Sequence, residues 1–167
     1  VGGSLNDGPN PLGQLFRQKD NYNRNFGISG NFFGEVLPME GLSIKTLFGY
    51  TVNNGSNFFP RLPAFEDTNG ARTTALSRGV GSSITWNWSN TLNYNKTFNE
   101  VHNIGILLGA EMRETRGDGL SASRDGFFSN DLNFLVLNSG EGNQQNGGSA
   151  FETSTLSQFG RVQYNYQ

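Results

Sequence analysis

The residues able to do chemistry are few and badly placed for it. His102 is the only histidine and the chain has no cysteine, so a Ser-His-Asp triad or a His-ligated metal would rest on one imidazole, which falls at a short connection between two candidate strands. It reads as a structural turn residue. Asp118, Asp125 and Asp131 lie within one Gly/Ser-rich stretch and carry oxygens suited to calcium, but their spacing does not match a helix-flanked calcium loop, and solvated loop carboxylates account for them better. Arg116-Gly117-Asp118 is an adhesion tripeptide only by coincidence in such a stretch. Gly147-Gly148 lacks the strand, turn and helix that a phosphate loop requires. No catalytic, cofactor or metal residue is assigned. With 12 basic and 14 acidic residues and no basic cluster, the chain shows no electrostatic footprint for nucleic acid.

The remaining candidates are aromatic. Phe58, Phe59, Phe65, Phe127 and Phe128 fall in otherwise polar stretches, where rings stack on a sugar or peptide, pack on a partner, or simply pack loop on loop. Trp86, Trp88, Tyr94, Tyr164 and Tyr166 instead sit inside alternating segments, at the spacing expected of rings that anchor at two membrane interfaces. In that reading Trp86 and Trp88 stand near the long-loop end of their strand, and Tyr94, Tyr164 and Tyr166 near the short-turn ends.

The elements that must hold these rings are strands. The chain has 167 residues, 23 of them Gly, with 34% hydrophobic and 13% aromatic residues, and it shows no amphipathic helical run. No stretch approaches the roughly 20 apolar residues of a membrane-spanning helix, and the first residues lack a basic-then-apolar leader. A barrel strand needs only about 10 residues with one apolar face. Five such segments are expected, near 25–37, 42–53, 82–96, 103–113 and 155–167. Even-numbered positions carry Phe26, Ile28, Phe32, Val36, Leu42, Ile44, Phe48, Tyr50, Val52, Ile84, Leu92, Ile104, Ile106, Leu108, Ala110 and Met112. Odd-numbered ones carry mostly Ser, Thr, Asn and charge. Leu47, Asn90, Leu107, Gln158 and Phe159 fit this scheme poorly. Short turns (38–41, 98–101) alternate with long loops (54–81, 114–152), the asymmetry of a transmembrane barrel whose loops elaborate on one side only. The rings would otherwise form the core of a soluble sandwich, which usually has shorter strands and loops.

The fold class expected is all-β: an antiparallel transmembrane β-barrel of which these are about five strands. Transmembrane barrels begin at eight, so the chain should be part of a larger one, and its open edges would invite aggregation in isolation. A secreted or surface structural or adhesive β-protein is the alternative, distinguished by expression as a soluble monomer.

Three stretches resemble a known family: NYNRNFGISGNFFGEVLPMEGLSIKTLFGY, ITWNWSNTLNYNKTFNEVHNIGILLGAEMRE, and FFSNDLNFLVLNSG followed by LSQFGRVQYNY. With Asn10-Pro11-Leu12 ahead of the first strand, they look like the barrel of SusC/RagA-type TonB-dependent transporters of Bacteroidota. The resemblance implies a barrel of roughly 22 strands with a plugged lumen in the bacterial outer membrane. It further implies TonB-driven import of oligosaccharide or peptide, with a SusD-like surface lipoprotein over the mouth. Lipid bilayer, that lipoprotein, TonB and the nutrient are the implied partners. Neither plug nor TonB box is found in these residues. Lys45, Glu111, Arg113 and Arg161 would face the lumen and contact the plug, and 54–81 and 114–152 would lie outside the cell.

Overall fold

In a computed structural model, residues 10–65 and 70–166 are described. A short helix α1 (Pro11–Gln18) leads into β1 (Tyr22–Met39), β2 (Leu42–Arg61), β3 (Ala75–Phe98), β4 (His102–Asp125) and β5 (Gln144–Tyr166), with two 3-10 turns, Leu132–Phe134 and Leu137–Ser139, before β5. The strands form one antiparallel sheet in sequence order. Nearest-neighbour meander pairing needs only hairpin connections, two of which are tight turns. At 40–41, Gly41 takes φ 81°, and its carbonyl accepts a hydrogen bond from Asn95 N at 2.8 Å. Between β3 and β4, Asn99 and Glu100 take φ 49° and 63°, and Val101 N bonds back to Phe98 O at 3.3 Å. Two successive left-handed residues make the type I′ turn, whose twist matches that of the flanking strands.

Two expectations are corrected. Helix α1 was not foreseen: at eight residues it is too short for periodicity to register. Its start is nonetheless written in Asn10-Pro11, for Asn10 Oδ1 accepts from Leu12 N at 3.1 Å and Pro11 fills the first turn, where no amide partner is needed. The strands are also longer than alternation suggested. β2 continues through Arg61, β3 starts at Ala75, β4 runs to Asp125 and β5 starts at Gln144, so the long loops contract to 62–74 and 126–143. In the added stretches both faces are rich in Gly, Ser, Asn and charge, so side chains stop reporting the period although the backbone ladder continues.

The residues divide into two compact units. A turn-side unit comprises Gly27–Asn53, Ser83–Gly117 and the strand from Ala150, and a loop-side unit holds Asn54–Ser82, Asp118–Ser149 and the residues up to Phe26. The core of the loop-side unit is small: Leu76, Leu135 and Phe58 are buried, with Tyr22, Leu62, Phe127, Leu132 and Leu137 packed around them. Loop 126–143 supplies Leu135 to this cluster and is clasped at its neck. Gly126 N bonds to Thr74 O, and both carboxylate oxygens of Asp125 accept from Asn143, from its backbone N and its side-chain amide.

Candidate functional site

In the turn-side unit the sheet is a single layer with two unlike surfaces. Cross-strand contacts keep like parity together. Gly34 lies beside Thr46, Phe32 stacks on Tyr50 (6.3 Å between centroids), Phe48 on Trp86 (6.4 Å), and the Trp88 indole N–H donates to Thr46 Oγ1 at 2.8 Å, all at even positions. On odd positions Ser43 donates to Glu35 at 2.5 Å, Gly49 lies among the Asn31 and Asn87 amides, Thr85 meets Thr115 at 3.0 Å, and Thr97 donates to Asn103 at 2.6 Å. The even-numbered surface is therefore largely apolar and the odd-numbered one largely polar, with Phe33, Leu37 and Phe159 as exposed apolar exceptions on the latter. Phe26, Ile28, Phe32, Val36, Trp88, Leu108, Met112, Leu156 and Val162 of the apolar parity are exposed, with no second layer on them among the described residues. Lys45, Glu111, Arg113 and Arg161 all share the polar parity, where the Lys45 ammonium rests over the Phe33 ring at 5.2 Å.

These contacts fix the register. Gly34, Thr46, Asn90, Ala110 and Gln158 form one lateral row, so the two polar misfits of the apolar parity, Asn90 and Gln158, lie level with each other on either side of Ala110. Phe159, also a poor fit to alternation, has its ring over the bare α-carbon of Gly109. An aromatic on one strand covering a glycine on the next is a recognised cross-strand device, invisible to a single-strand reading.

Relative to that row, the apolar series drifts. On β2 (Leu42–Val52) and β3 (Ile84–Tyr94) it reaches six residues toward the loops and four toward the turns; on β5 (Leu156–Tyr166) it reaches two and eight. The centre thus shifts by four residues over the three steps from β2 to β5. At about 3.3 Å per residue and about 4.8 Å between strands, a flat apolar slab crosses strands tilted by about 40°. With that tilt, the ten-residue span from Ile84 to Tyr94 stands about 25 Å tall.

The interface rings are placed as follows. Trp86 and Trp88 stand in the middle of β3 rather than near its loop end, because the strand continues back to Ala75; in the apolar series they follow Ile84 at its loop-side end. Tyr164 and Tyr166 lie at the turn end of β5, where the Tyr164 hydroxyl hydrogen-bonds His102 Nδ1 at 2.8 Å and both rings pack against the imidazole, at 6.0 and 5.3 Å between centroids. His102 is thus the third ring of an aromatic group, a role its position in the sequence did not show. Tyr94 is half-buried on β3.

The five phenylalanines separate. Phe58 and Phe59 belong to β2 rather than to a loop, since β2 passes through them to Arg61. Phe58 is buried against Leu76 and Leu135, and Phe127 packs on the same cluster. Phe65 and Phe128 are exposed in the loops, and Phe128 tilts against Phe134 at 5.5 Å. Phe59 is marginally exposed on the polar parity. On that parity of the loop-side unit lies an open hollow of about 570 Å³, floored by Gly55, Gly79, Gly81, Gly119 and Gly147 and edged by Asn23, Asn25 and Asn57. Sequence reasoning missed it because the glycines are spread over four strands, β2 to β5.

This wall has known counterparts. The chain is 30% identical over 158 residues to the TonB-dependent receptor P3 of Formosa agariphila, an alignment covering 90% of this chain and 14% of that protein. Over most of its length the chain is thus similar to part of a TonB-dependent receptor. Its fold matches solved structures of the RagAB peptide importer: TM-score 0.77 and 24% identity to the "closed-closed" state over 86% of this chain and 16% of that one, and TM-score 0.70 to the "open-open" state over 89% and 17%. No family model matches. The chain therefore spans about one-seventh of the length of this receptor relative, and its five-stranded sheet has the fold of a barrel segment of the RagAB structures.

Proposed function

We propose that this receptor barrel segment supplies wall strands and outer loops to a TonB-dependent importer of oligosaccharide or peptide. The observation that carries the reading is the two-faced sheet: an apolar band about 25 Å tall, tilted as barrel strands are, backed by a largely polar surface. Lipid takes the even-numbered face. The odd-numbered face lines the lumen, with Lys45, Glu111, Arg113 and Arg161 against a plug, and the glycine-floored hollow widens the passage on the loop side. Loops 62–74 and 126–143 stand outside the cell, where Phe65 and Phe128 are exposed to a SusD-like lipoprotein or to cargo. The open edges of β1 and β5, the latter exposed along its whole length, continue into further strands of a barrel of roughly 22. The peptide cargo named for the RagAB structures favours peptide over oligosaccharide only by analogy.

The test is uptake by cells producing the full-length protein, supplied with labelled oligopeptides and labelled oligosaccharides. The reading expects accumulation of one class, abolished by an uncoupler that collapses the energy TonB transmits. Uptake unaffected by the uncoupler, or none of either class, refutes it.

A further inference from the structure

At the turn-side ends of β3, β4 and β5 the even parity closes with rings and bases. The Lys96 ammonium lies over the Phe98 ring at 5.3 Å, and the His102 imidazole packs against Tyr164 and Tyr166 with its Nδ1 2.8 Å from the Tyr164 hydroxyl. Thr97 meets Asn103 across the hairpin, so Phe98 stands opposite His102 and Lys96 is the next even position along. These groups belong to the turn-side unit, as the apolar series itself does. Lys96, Phe98, Tyr164 and Tyr166 are all exposed, and Lys96 has no ion-pair partner among the described residues. Two carboxylates share this end: Glu40, level with Lys96 because the Gly41 carbonyl accepts from Asn95 N, and Glu100 in the turn between β3 and β4. Positive and negative groups thus stand side by side.

Measured from the row of Asn90, Ala110 and Gln158, the apolar series ends four residues on at Tyr94, six at Ile104 and eight at Tyr166, as the edge of a tilted slab does. Lys96 and His102 each stand two residues past that edge on their own strands, about 5 Å beyond it once the tilt is allowed for. The interfacial layer of a bilayer is about 5–7 Å deep on each side, so both groups lie at headgroup height. The imidazole and phenol keep one donor uncommitted in either tautomer: Nε2–H where Nδ1 accepts from Tyr164, the Tyr164 hydroxyl where Nδ1–H donates. An ammonium and such a donor suit phosphodiester oxygens, whereas Glu40 and Glu100 repel a net anion and attract an ammonium. We infer that Lys96 and the His102–Tyr164 pair, with Glu40 and Glu100 beside them, dock the phosphoethanolamine headgroup of a membrane phospholipid. The mixed charge at one level selects a zwitterion, and the unbroken passage from apolar band to exposed rings selects a lipid. The site rests on the even-numbered face being the lipid face.

The experiment titrates the detergent-solubilised full-length protein with phosphatidylethanolamine, phosphatidylglycerol and diacylglycerol of the same acyl chains, and scores retained lipid by native mass spectrometry. The wild type is expected to bind phosphatidylethanolamine about fivefold more tightly than diacylglycerol, as two exposed polar contacts would give, and more tightly than phosphatidylglycerol. K96Q/H102Q should lose the preference over diacylglycerol while still binding the acyl chains, and E40Q/E100Q should bring phosphatidylglycerol level with phosphatidylethanolamine. Millimolar free phosphoethanolamine should not compete, since the acyl chains bring the headgroup to the site. The proposal is overturned if the wild type shows no preference for phosphatidylethanolamine over either lipid, if K96Q/H102Q keeps the preference over diacylglycerol, if E40Q/E100Q still discriminates against phosphatidylglycerol, or if free phosphoethanolamine displaces the lipid. Should a variant fail to fold, the wild-type preference over diacylglycerol decides the matter: it should fall as salt rises, and an unchanged preference overturns the site. Absence of any lipid binding, diacylglycerol included, would instead overturn the lipid-facing assignment of the even face, and the site with it.

Discussion

Gly41 shows how much one backbone position can carry. Its φ of 81° is one that side chains rarely adopt, and a Cβ there would run into the Asn95 carbonyl. Gly41→Ala should therefore lower barrel stability by about 1–3 kcal/mol, read as a drop in the urea midpoint of the detergent-folded protein. Gly34→Ala, where the nearest atom stands 3.7 Å from a built Cβ, should cost less than about 1 kcal/mol in the same assay. The Gly41 turn was legible, because Pro38-Met39-Glu40-Gly41 carries its own turn chemistry. Phe159 was not. Its ring answers a glycine fifty residues upstream, and no local pattern reports a partner at that separation. His102 likewise reads as a bare turn residue until β5 brings Tyr164 and Tyr166 beside it.

At the level of elements, the strands were legible only where one face is apolar. Ile84 to Tyr94 announces itself, whereas the Ser121 and Gly147-Gly148 segments of β4 and β5 offer no contrast between faces. Alternation therefore ends before the ladder does, and Phe58 lies on β2 beyond the last residue that alternation marks. Loop 126–143 has a packed anchor of its own: Leu135 is 2% exposed and Leu76 is 1% exposed. Leu135→Ala should cost about 2–4 kcal/mol of local stability. The expected result is faster protease cleavage within 126–143 while the barrel strands stay protected; unchanged cleavage would show that the cluster does not hold the loop.

For the whole molecule, the account stands on the two faces having different solvents. Leu108→Arg places a charge within the apolar band and should destabilise the membrane-folded protein by about 2–4 kcal/mol, whereas Thr91→Arg on the opposite parity should be close to neutral; folding yields into vesicles, with and without urea, measure both. The most direct measurement uses the absence of cysteine from these residues. Single cysteines at Leu92 and Leu108, and at Asn93 and Ser157, introduced into the full-length protein with any other cysteines removed, are probed in outer-membrane vesicles with a water-soluble thiol reagent and with a lipid-embedded quencher of a thiol-linked fluorophore. The account predicts that the two even positions are quenched from the lipid and resist the aqueous reagent, and that the two odd positions escape quenching. Aqueous labelling of Leu92→Cys and Leu108→Cys without lipid quenching would contradict it.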